Sequence, residues 1–402
     1  MKKILIIGAA VYQLPAIQRV VELGYEVYCV DYKEGQPGFE FATGYRVVDV
    51  KDKENCLKYA QELDVDGVMS WGSTLTLPTV SYIGERMNLP CMPISTAEIS
   101  TSKYLIRKKL TDCGLNSGGE VFDLHSWEEV DSKQYVVPFV VKPCDGSGSR
   151  GVYIVKDEAE IKKAIQYAFD GARDKQIYVE PYIEGVEYSA EAYASNGEVH
   201  VYSIVKTEFN WTKDYPVYKQ TTYLGISKET EALITEEVRK ATSALGLNFG
   251  PINFDIIISD ADGKPYIIDV GIRNGQNLIA SHIVPYSRGV DELNNSINIC
   301  IGNNMEIKPK RKEYISSRLL IYIPGTIEEI KSYQNLIGKD HIVDIIMRKK
   351  VGDVLPHYQT KSDICGWVLS KGETPEEASM YADKAWERLK EYICLLYTSP
   401  SP

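Results

Sequence analysis

Residues Phe139 to Val155 read FVVKPCDGSGSRGVYIV. An apolar run ends in Lys142, a glycine/serine loop with one arginine follows (Gly146, Ser147, Gly148, Ser149, Arg150, Gly151), and a second apolar run begins. A lysine beside a loop rich in backbone N–H groups suits a polyphosphate, because glycines let the backbone approach while Lys142 and Arg150 bring positive charge. The stretch contains Gly146-x-Gly148-x-x-Gly151, the spacing of a dinucleotide fingerprint, but that fingerprint leads from a strand into a helix. Here the β-branched and aromatic run Val152–Val155 predicts a strand instead. A P-loop is excluded because no Gly-Lys-Ser/Thr closes the loop ahead of a helix. Two readings are left: a strand–loop–strand flap that covers phosphates, or an ordinary hairpin loop.

The second informative stretch is Phe249–Asn277, FGPINFDIIISDADGKPYIIDVGIRNGQN. Two β-rich runs flank Asp262-Gly263, a strong hairpin signal. Asp255 and Asp269 lie seven residues either side of position 262. A hairpin centred there sets them opposite one another, on one face, with Cβ atoms about 5 Å apart. Facing carboxylates repel unless a cation sits between them, and oxygen ligands beside phosphate suggest Mg²⁺, with Mn²⁺ as an alternative. Arg273 and Asn274 follow at the strand end, where they can meet an anion. A slipped register would instead turn one aspartate to solvent.

Upstream, Lys3–Ile7, Pro15–Leu23, Glu26–Val30, Val47–Val50, Lys53–Leu63 and Gly67–Ser70 alternate strand and helix, which predicts a parallel sheet covered on both faces. Gly8-Ala9-Ala10-Val11-Tyr12-Gln13 keeps one glycine of the dinucleotide motif, with Asp31 at a ribose-binding distance, so NAD(P) is a weak competitor there. Loop Trp71–Thr76 is a candidate to hold part of a substrate. Ser95–Cys113 predicts two helical pieces, the second opened by Ser102-Lys103. Ile177–Tyr193 (IYVEPYIEGVEYSAEAY) predicts a pair of acidic strands joined at Ile183-Glu184-Gly185. Leu319–Ile323, Met347–Val354 and Ile364–Leu369 read as strands. Thr374-Pro375-Glu376-Glu377 is a capping box that opens a helix to about Ile393.

The chain as a whole bounds the answer. At 402 residues it has room for two to four domains, and 44% hydrophobic with 25% charged residues describes a globular protein. A net charge of −11 argues against nucleic acid. Eight scattered cysteines without C-x-x-C spacing point to a reducing cytoplasm rather than a zinc site or disulfide framework. MKKILIIGAAV reads as a buried first strand rather than a secretory signal, and no run approaches the roughly 18 apolar residues of a membrane span.

A parallel domain, a lysine-bearing helix, the Lys142 flap, an acidic strand pair and a two-carboxylate hairpin ending in arginine occur here in that order. The combination resembles the ATP-grasp superfamily, which includes D-alanine–D-alanine ligase, biotin carboxylase and glycinamide ribonucleotide synthetase. The resemblance implies an α/β and α+β multidomain chain: an N-terminal Rossmann-like parallel-sheet domain over 1–94, then an ATP-grasp fold of two α+β lobes over 95–305. The small ATP-binding lobe takes about 120–182 and the larger catalytic lobe 183–305. A C-terminal α+β lobe (306–395) and a disordered or non-native tail (396–402) complete the chain.

Residue by residue, the resemblance implies that Lys103 and Lys142 hold ATP phosphates under the Gly146–Gly151 flap. Glu180 and the Tyr182-Ile183 backbone match the adenine hinge, and Glu187 the acid on the ribose hydroxyls. Asp255 and Asp269 match the Mg²⁺ carboxylates, and Arg273, catalytic together with Lys142, the arginine near the reacting phosphate. The chain departs from the usual Glu-x-Asn-x-Arg, having Asp269-Val270-Gly271-Ile272-Arg273; Asn274 or water is the candidate replacement for the missing amide.

The activity implied is an ATP-dependent carbon–nitrogen ligase that activates a small-molecule carboxylate as an acyl phosphate for attack by an amine or other nucleophile. No side chain stands out as a general base. A non-catalytic ATP-binding protein with a degenerate site and a biotin carboxylase-like ligase are the alternatives. Neither nucleic acid nor membrane is implied as a partner, and a homodimer is allowed.

Overall fold

The chain begins with a rhythm of short apolar strands and amphipathic helices. In the computed structural model, β1 (Lys3–Ile7), α1 (Leu14–Glu22), β2 (Glu26–Asp31), β3 (Gly44–Val47), α2 (Lys53–Leu63), β4 (Gly67–Met69) and α3 (Leu77–Met87) build a parallel sheet of order β3-β2-β1-β4. Residues 1–115, 136–145, 151–173, 176–195, 197–211, 216–223, 226–275, 278–358 and 363–396 are described, and the side chains of 209–211 and 216–223 are not. Strand β1 is a continuous apolar run because both its faces are covered, as parallel sheets require. The third strand lies a few residues earlier than the apolar run Val47–Val50 suggests.

Helices α4 (Ile94–Ile99) and α5 (Lys103–Asp112) follow, and Ser102 caps α5 by accepting the Leu105 N–H at 3.3 Å. Strands β5 (Phe139–Pro143) and β6 (Tyr153–Val155) pair antiparallel, Phe139 against Val155. With α6 (Ile161–Gly171) and β7 (Ile177–Pro181) they form a small sheet of order β6-β5-β7. Helix α6 buries Ile161, Ala164, Ile165 and Ala168 on it, a spacing of three and four that puts them on one stripe.

An eight-stranded antiparallel sheet dominates the rest. It uses β8 (Gly185–Ser195), β9 (Glu198–Trp211), β10 (Pro216–Tyr223), then after α7 (Lys228–Ala244) β11 (Phe249–Ser259) and β12 (Pro265–Gly271). Helices α8 (Val284–Arg288) and α9 (Glu292–Cys300) lead to β13 (Tyr314–Leu320), β14 (Gly325–Ile330), β15 (Ile342–Met347), β16 (Val354–Leu355), β17 (Gly366–Gly372), α10 (Pro375–Leu389) and β18 (Ile393–Leu396). The large sheet runs β12-β11-β8-β9-β10-β13-β17-β15, and β16-β14-β18 form a separate small sheet. Helix α7 seals one face with Ile234, Val238 and Ala241; each buried Ile or Val of this kind contributes roughly 1.5–3 kcal/mol.

Three expectations need correction. Strands β7 and β8 do not pair with each other: they belong to different sheets, so residues 182–184 form the joint between lobes. The run Met347–Val354 is not one strand, because a turn with Gly352 at φ +91° separates β15 from β16. Helix α10 ends at Leu389 rather than near Ile393, since Ile393 opens a strand that pairs with β14. Half of the capping box forms, Thr374 Oγ1 accepting the Glu377 N–H at 3.2 Å, while Glu377 Oε2 reaches past Thr374 to accept the Glu373 N–H at 2.9 Å. The tail from 397 onward lies outside the described residues.

Candidate functional site

The hairpin of β11 and β12 sets Asp255 directly opposite Asp269. Two departures from a simple hairpin cancel to give this result. Near the turn, Ile258 pairs with Pro265, a register centred half a residue before 262, and then β12 carries one extra residue between Tyr266–Ile267 and Asp269. That residue is Ile268. A bulged residue is left out of the ladder, and the Ile268 carbonyl is taken instead by two cations: Lys142 Nζ at 3.1 Å and Arg107 Nη2 at 3.2 Å.

The bulge is therefore where the lobes meet. Lys142, on the middle strand of the small sheet, reaches across to β12, and its ammonium also pairs with Glu180 on β7. Arg107, on α5, donates to the Ile267 carbonyl at 2.8 Å and to Glu180 at 3.1 Å. Glu180 and Arg107 are each 4% exposed. Burial works against the Lys142 and Arg107 cations, but Glu180, Tyr178 and Asp269 outweigh it, so both are held above their usual pKa. Lys103, at the start of the same helix, pairs with Asp269, and its backbone N–H donates to the Cys144 carbonyl at the base of the flap loop, 2.9 Å away. Burial pushes the Asp269 carboxyl up, and Lys103 and Lys142 more than reverse that, leaving it below the usual carboxylate range.

On the other side of the hairpin, Ser189 Oγ donates to Asp255 Oδ1 at 2.8 Å and accepts from Asn253 Nδ2 at 2.8 Å. Arg273 lies just past β12. Its guanidinium packs over Gly271, where a Cβ would come within 3.1 Å of Cζ, and Nη1 donates to the Asn274 carbonyl at 2.9 Å.

The structure thus brings Lys103, Lys142, Glu180, Asp255, Asp269 and Arg273 around one end of the β11–β12 hairpin. Tyr182 and Ile183 are half-buried in the interlobe joint, and half-buried Glu187 lies two residues into β8. The Tyr182 phenol is pushed up by burial and by the nearby charges of Glu184 and Glu187. Gly151 closes the flap at φ +73°, against Pro143, whereas Gly146, Ser147, Gly148, Ser149 and Arg150 lie outside the described residues.

Two expectations change. Glu180 presents its carboxylate to Lys142 and Arg107, so its side chain serves the cations, and only the joint's backbone is left to face a base. Asn274 is 3% exposed with its amide already engaged, Nδ2 on Glu292 Oε2 at 3.1 Å and Oδ1 on Ser296 Oγ at 3.3 Å, so it does not replace the missing ligand. Arg107 was not among the residues singled out from sequence. Its signal is the spacing of four from Lys103, which places both on one face of α5.

Asp31 is likewise engaged within the first domain: it accepts the Ala9 N–H at 2.8 Å and Gln36 Nε2 at 2.9 Å.

Among the described residues no cluster of three or more His, Cys, Asp or Glu could hold a metal. Two facing carboxylates with a lysine ammonium already drawn onto one of them are nevertheless a donor set that fits Mg²⁺, which takes one or two carboxylates and fills its octahedron with phosphate oxygens and water.

Known proteins share parts of this sequence and its fold. The ATP-grasp domain model matches residues 135–281, and the L-amino acid ligase C-terminal domain 2 model matches residues 318–393. A D-alanine–D-alanine ligase of Flavobacterium psychrophilum is 33% identical over 148 residues, 35% of this chain and 43% of that protein. Dapdiamide A synthase of Enterobacter agglomerans is 25% identical over 183 residues, 43% of this chain and 42% of that protein. The matches thus span less than half the length of either relative. Among solved structures, an L-amino acid ligase from Bacillus licheniformis superposes with a TM-score of 0.80 over 99% of both chains, at 23% identity. Phosphoribosylglycinamide synthetase from Anaerococcus prevotii gives 0.75 over 99% of this chain and 100% of that one, at 22% identity. These two likenesses establish a shared fold along the whole chain. The chain therefore carries an ATP-grasp domain over residues 135–281, followed by an L-amino acid ligase C-terminal domain 2 over residues 318–393.

Proposed function

We propose that this protein is an ATP- and Mg²⁺-dependent ligase that joins the carboxylate of one small molecule, of the amino-acid class, to the amine of another. The observation that carries the reading is the in-register pairing of Asp255 with Asp269, ringed by Lys103, Lys142 and Arg273. The amino-acid class of substrate is supported by the C-terminal domain match over 318–393.

A carboxylate resists amines because its leaving group would be oxide. Transfer of the γ-phosphoryl group to a carboxylate oxygen releases ADP and yields an acyl phosphate; the amine nitrogen then attacks the acyl carbon, and phosphate departs as the amine gives up a proton. Such transfer needs positioning and charge neutralisation more than covalent help from the protein. Lys103 and Lys142 are placed to bind phosphate oxygens once released from Asp269 and Glu180, and Arg273 is the charge nearest the strand end. Asp255 and Asp269 would hold Mg²⁺, which neutralises charge on the phosphates when bound. The Tyr182-Ile183 backbone and Glu187 are the candidates for base and ribose.

Eight free cysteines fit a reducing compartment, and among the described residues no helix is long and apolar enough to cross a membrane. Light scattering of the purified chain tests for the homodimer that the resemblance allows.

The direct test measures ADP and phosphate release over a panel of L-amino acids as acid and amine. Wild type should turn over at least one pair, and Asp269→Ala should abolish it. Undiminished turnover in that variant would sink the metal assignment, and ATP binding without turnover of any pair would sink the ligase reading.

A further inference from the structure

The segment that carries Arg273 is tied down from behind by two buried acids that the proposed chemistry does not use. Arg273 sits in a tight turn, its N–H donating to the Gly271 carbonyl at 2.7 Å, and its guanidinium is fixed by the Asn274 carbonyl. Asn274 donates its amide to Glu292 Oε2, and Ser296 Oγ, itself hydrogen-bonded to the Tyr193 hydroxyl at 3.0 Å, donates to the other end of that amide. The next residue, Gly275, gives its N–H to Glu191 Oε2 at 2.9 Å, while Glu191 Oε1 accepts from Asn253 Nδ2 at 2.8 Å. A Cβ at position 275 would lie 1.7 Å from Glu191 Oε1, so any side chain there would have to displace the Glu191 carboxylate. Glu191 and Glu292 are both 0% exposed.

Helix α9, which carries Glu292 and Ser296, is itself anchored to the first domain. Its N-cap Asp291 and Asn294 both receive Arg19 Nη1 from α1, at 2.5 and 2.8 Å. The contacts therefore run unbroken from α1 through α9 to the Arg273 segment. A buried carboxyl in this position is an expensive residue to keep. Its one hydrogen bond to the site's own segment is to Asn274, the residue whose carbonyl seats the guanidinium.

We propose that Glu292 is a positioning residue for the ligase reaction: through Asn274 it fixes the backbone that seats the Arg273 guanidinium, and α9 braces that contact against the first domain. This rests on Arg273 acting at the reacting end as described above. Displacing a charge-stabilising group by about 1 Å costs on the order of 100-fold in rate, whereas nucleotide binding at Lys103 and Lys142 does not pass through Glu292.

The test uses the full chain with Glu292→Gln, Glu292→Ala and Asn274→Ala, each alone and combined with Arg273→Ala. Glutamine keeps an acceptor for Asn274 and should hold kcat within about threefold. Both alanine variants should lower kcat about 10- to 100-fold, leave the affinity for a non-hydrolysable ATP analogue within about threefold, and cost nothing further once Arg273 is gone. A wild-type kcat in both alanine variants, a loss of the same size in the Arg273→Ala background, or a Glu292→Gln variant as poor as the alanine would each overturn the proposal. Crystal structures of the glutamine and Asn274→Ala variants read the position of Arg273 directly. They decide the matter even in a chain that turns over no substrate pair, where an undisplaced Arg273 after Asn274→Ala counts against it.

Discussion

Glu180 and Glu292 are both acids sealed inside the protein within one site, and their company is opposite. Glu180 lies between two cations, Lys142 and Arg107, each of which also holds the Ile268 carbonyl. Glu292 lies among neutral donors, with a second buried acid, Glu191, close enough for the two charges to oppose each other. One acid neutralises charge on the side proposed to bind phosphate. The other holds backbone in place. Burial alone therefore says nothing of an acid's task; the partners do.

The sharpest way to break the comparison is Glu180→Ala. It strands two buried cations at the lobe junction, and breaking a buried pair by deleting one partner costs about 3–5 kcal/mol. Urea unfolding should show that loss together with a collapse of ATP affinity. An unfolding midpoint within error of wild type would mean that Glu180 does not carry the junction.

The same isosteric change then separates the two acids by sign. Glu180→Gln removes the counter-charge of Lys142 and Arg107 and should destabilise the fold at pH 8. For Glu292, burial pushes the carboxyl up from 4.5 to about 7, against the nearby Tyr202 hydroxyl and the hydrogen bond from Asn274 and with help from Asp291. The charged and titratable groups around it are Glu191 and Tyr193 of β8, Tyr202 of β9 and Asp291 of its own helix. Its folded pKa lies above its unfolded one, so the native state holds a proton that the unfolded chain has lost. Stability from this group is therefore fully present below pH 4.5 and drains away as pH rises toward 7. Glu292→Gln mimics the neutral acid and should be more stable than wild type at pH 8, by up to a few kcal/mol, with the two converging near pH 5. Melting curves of both proteins across pH 4–8 show this; parallel curves would contradict it.

How far the sequence disclosed this arrangement follows from the kind of contact involved. The Asp255/Asp269 pairing was legible because a hairpin ties its register to a local turn, and Asp262-Gly263 marked that turn. The bulge at Ile268 was not legible, and the pairing survived only because the bulge offset a turn centred half a residue early. Lys142 stood out because an apolar strand rarely ends in a lysine beside glycines. The part played by Glu180 was hidden, since nothing local to Ile177–Tyr193 says that β7 and β8 join different sheets. Arg107 was one basic residue among several on α5, and only its spacing from Lys103 distinguished it. Glu292 lies 18 residues beyond Asn274 on another element. Its partners are set by tertiary packing, which no periodicity reports.

The smallest expected effect tests the large-sheet side at its other edge. Gly271 stands where the amide of a longer side chain is usual in the superfamily, and the Arg273 guanidinium fills the room it leaves. A Cβ there would meet Cζ, Nη2 and Nη1 at 3.1, 3.3 and 3.4 Å. Position 271 has no left-handed backbone, and the atoms it would meet are the far end of a flexible side chain. Gly271→Ala should therefore fold with stability within about 0.5 kcal/mol of wild type. Its guanidinium must shift by a few tenths of an ångström, so kcat should fall about fivefold, roughly 1 kcal/mol of transition-state stabilisation. If Arg273 is held between Gly271 in front and Asn274 behind, this loss and that of Asn274→Ala should combine less than additively, as for neighbours that share one partner. Fully additive losses in the double variant would show that the two contacts hold different things.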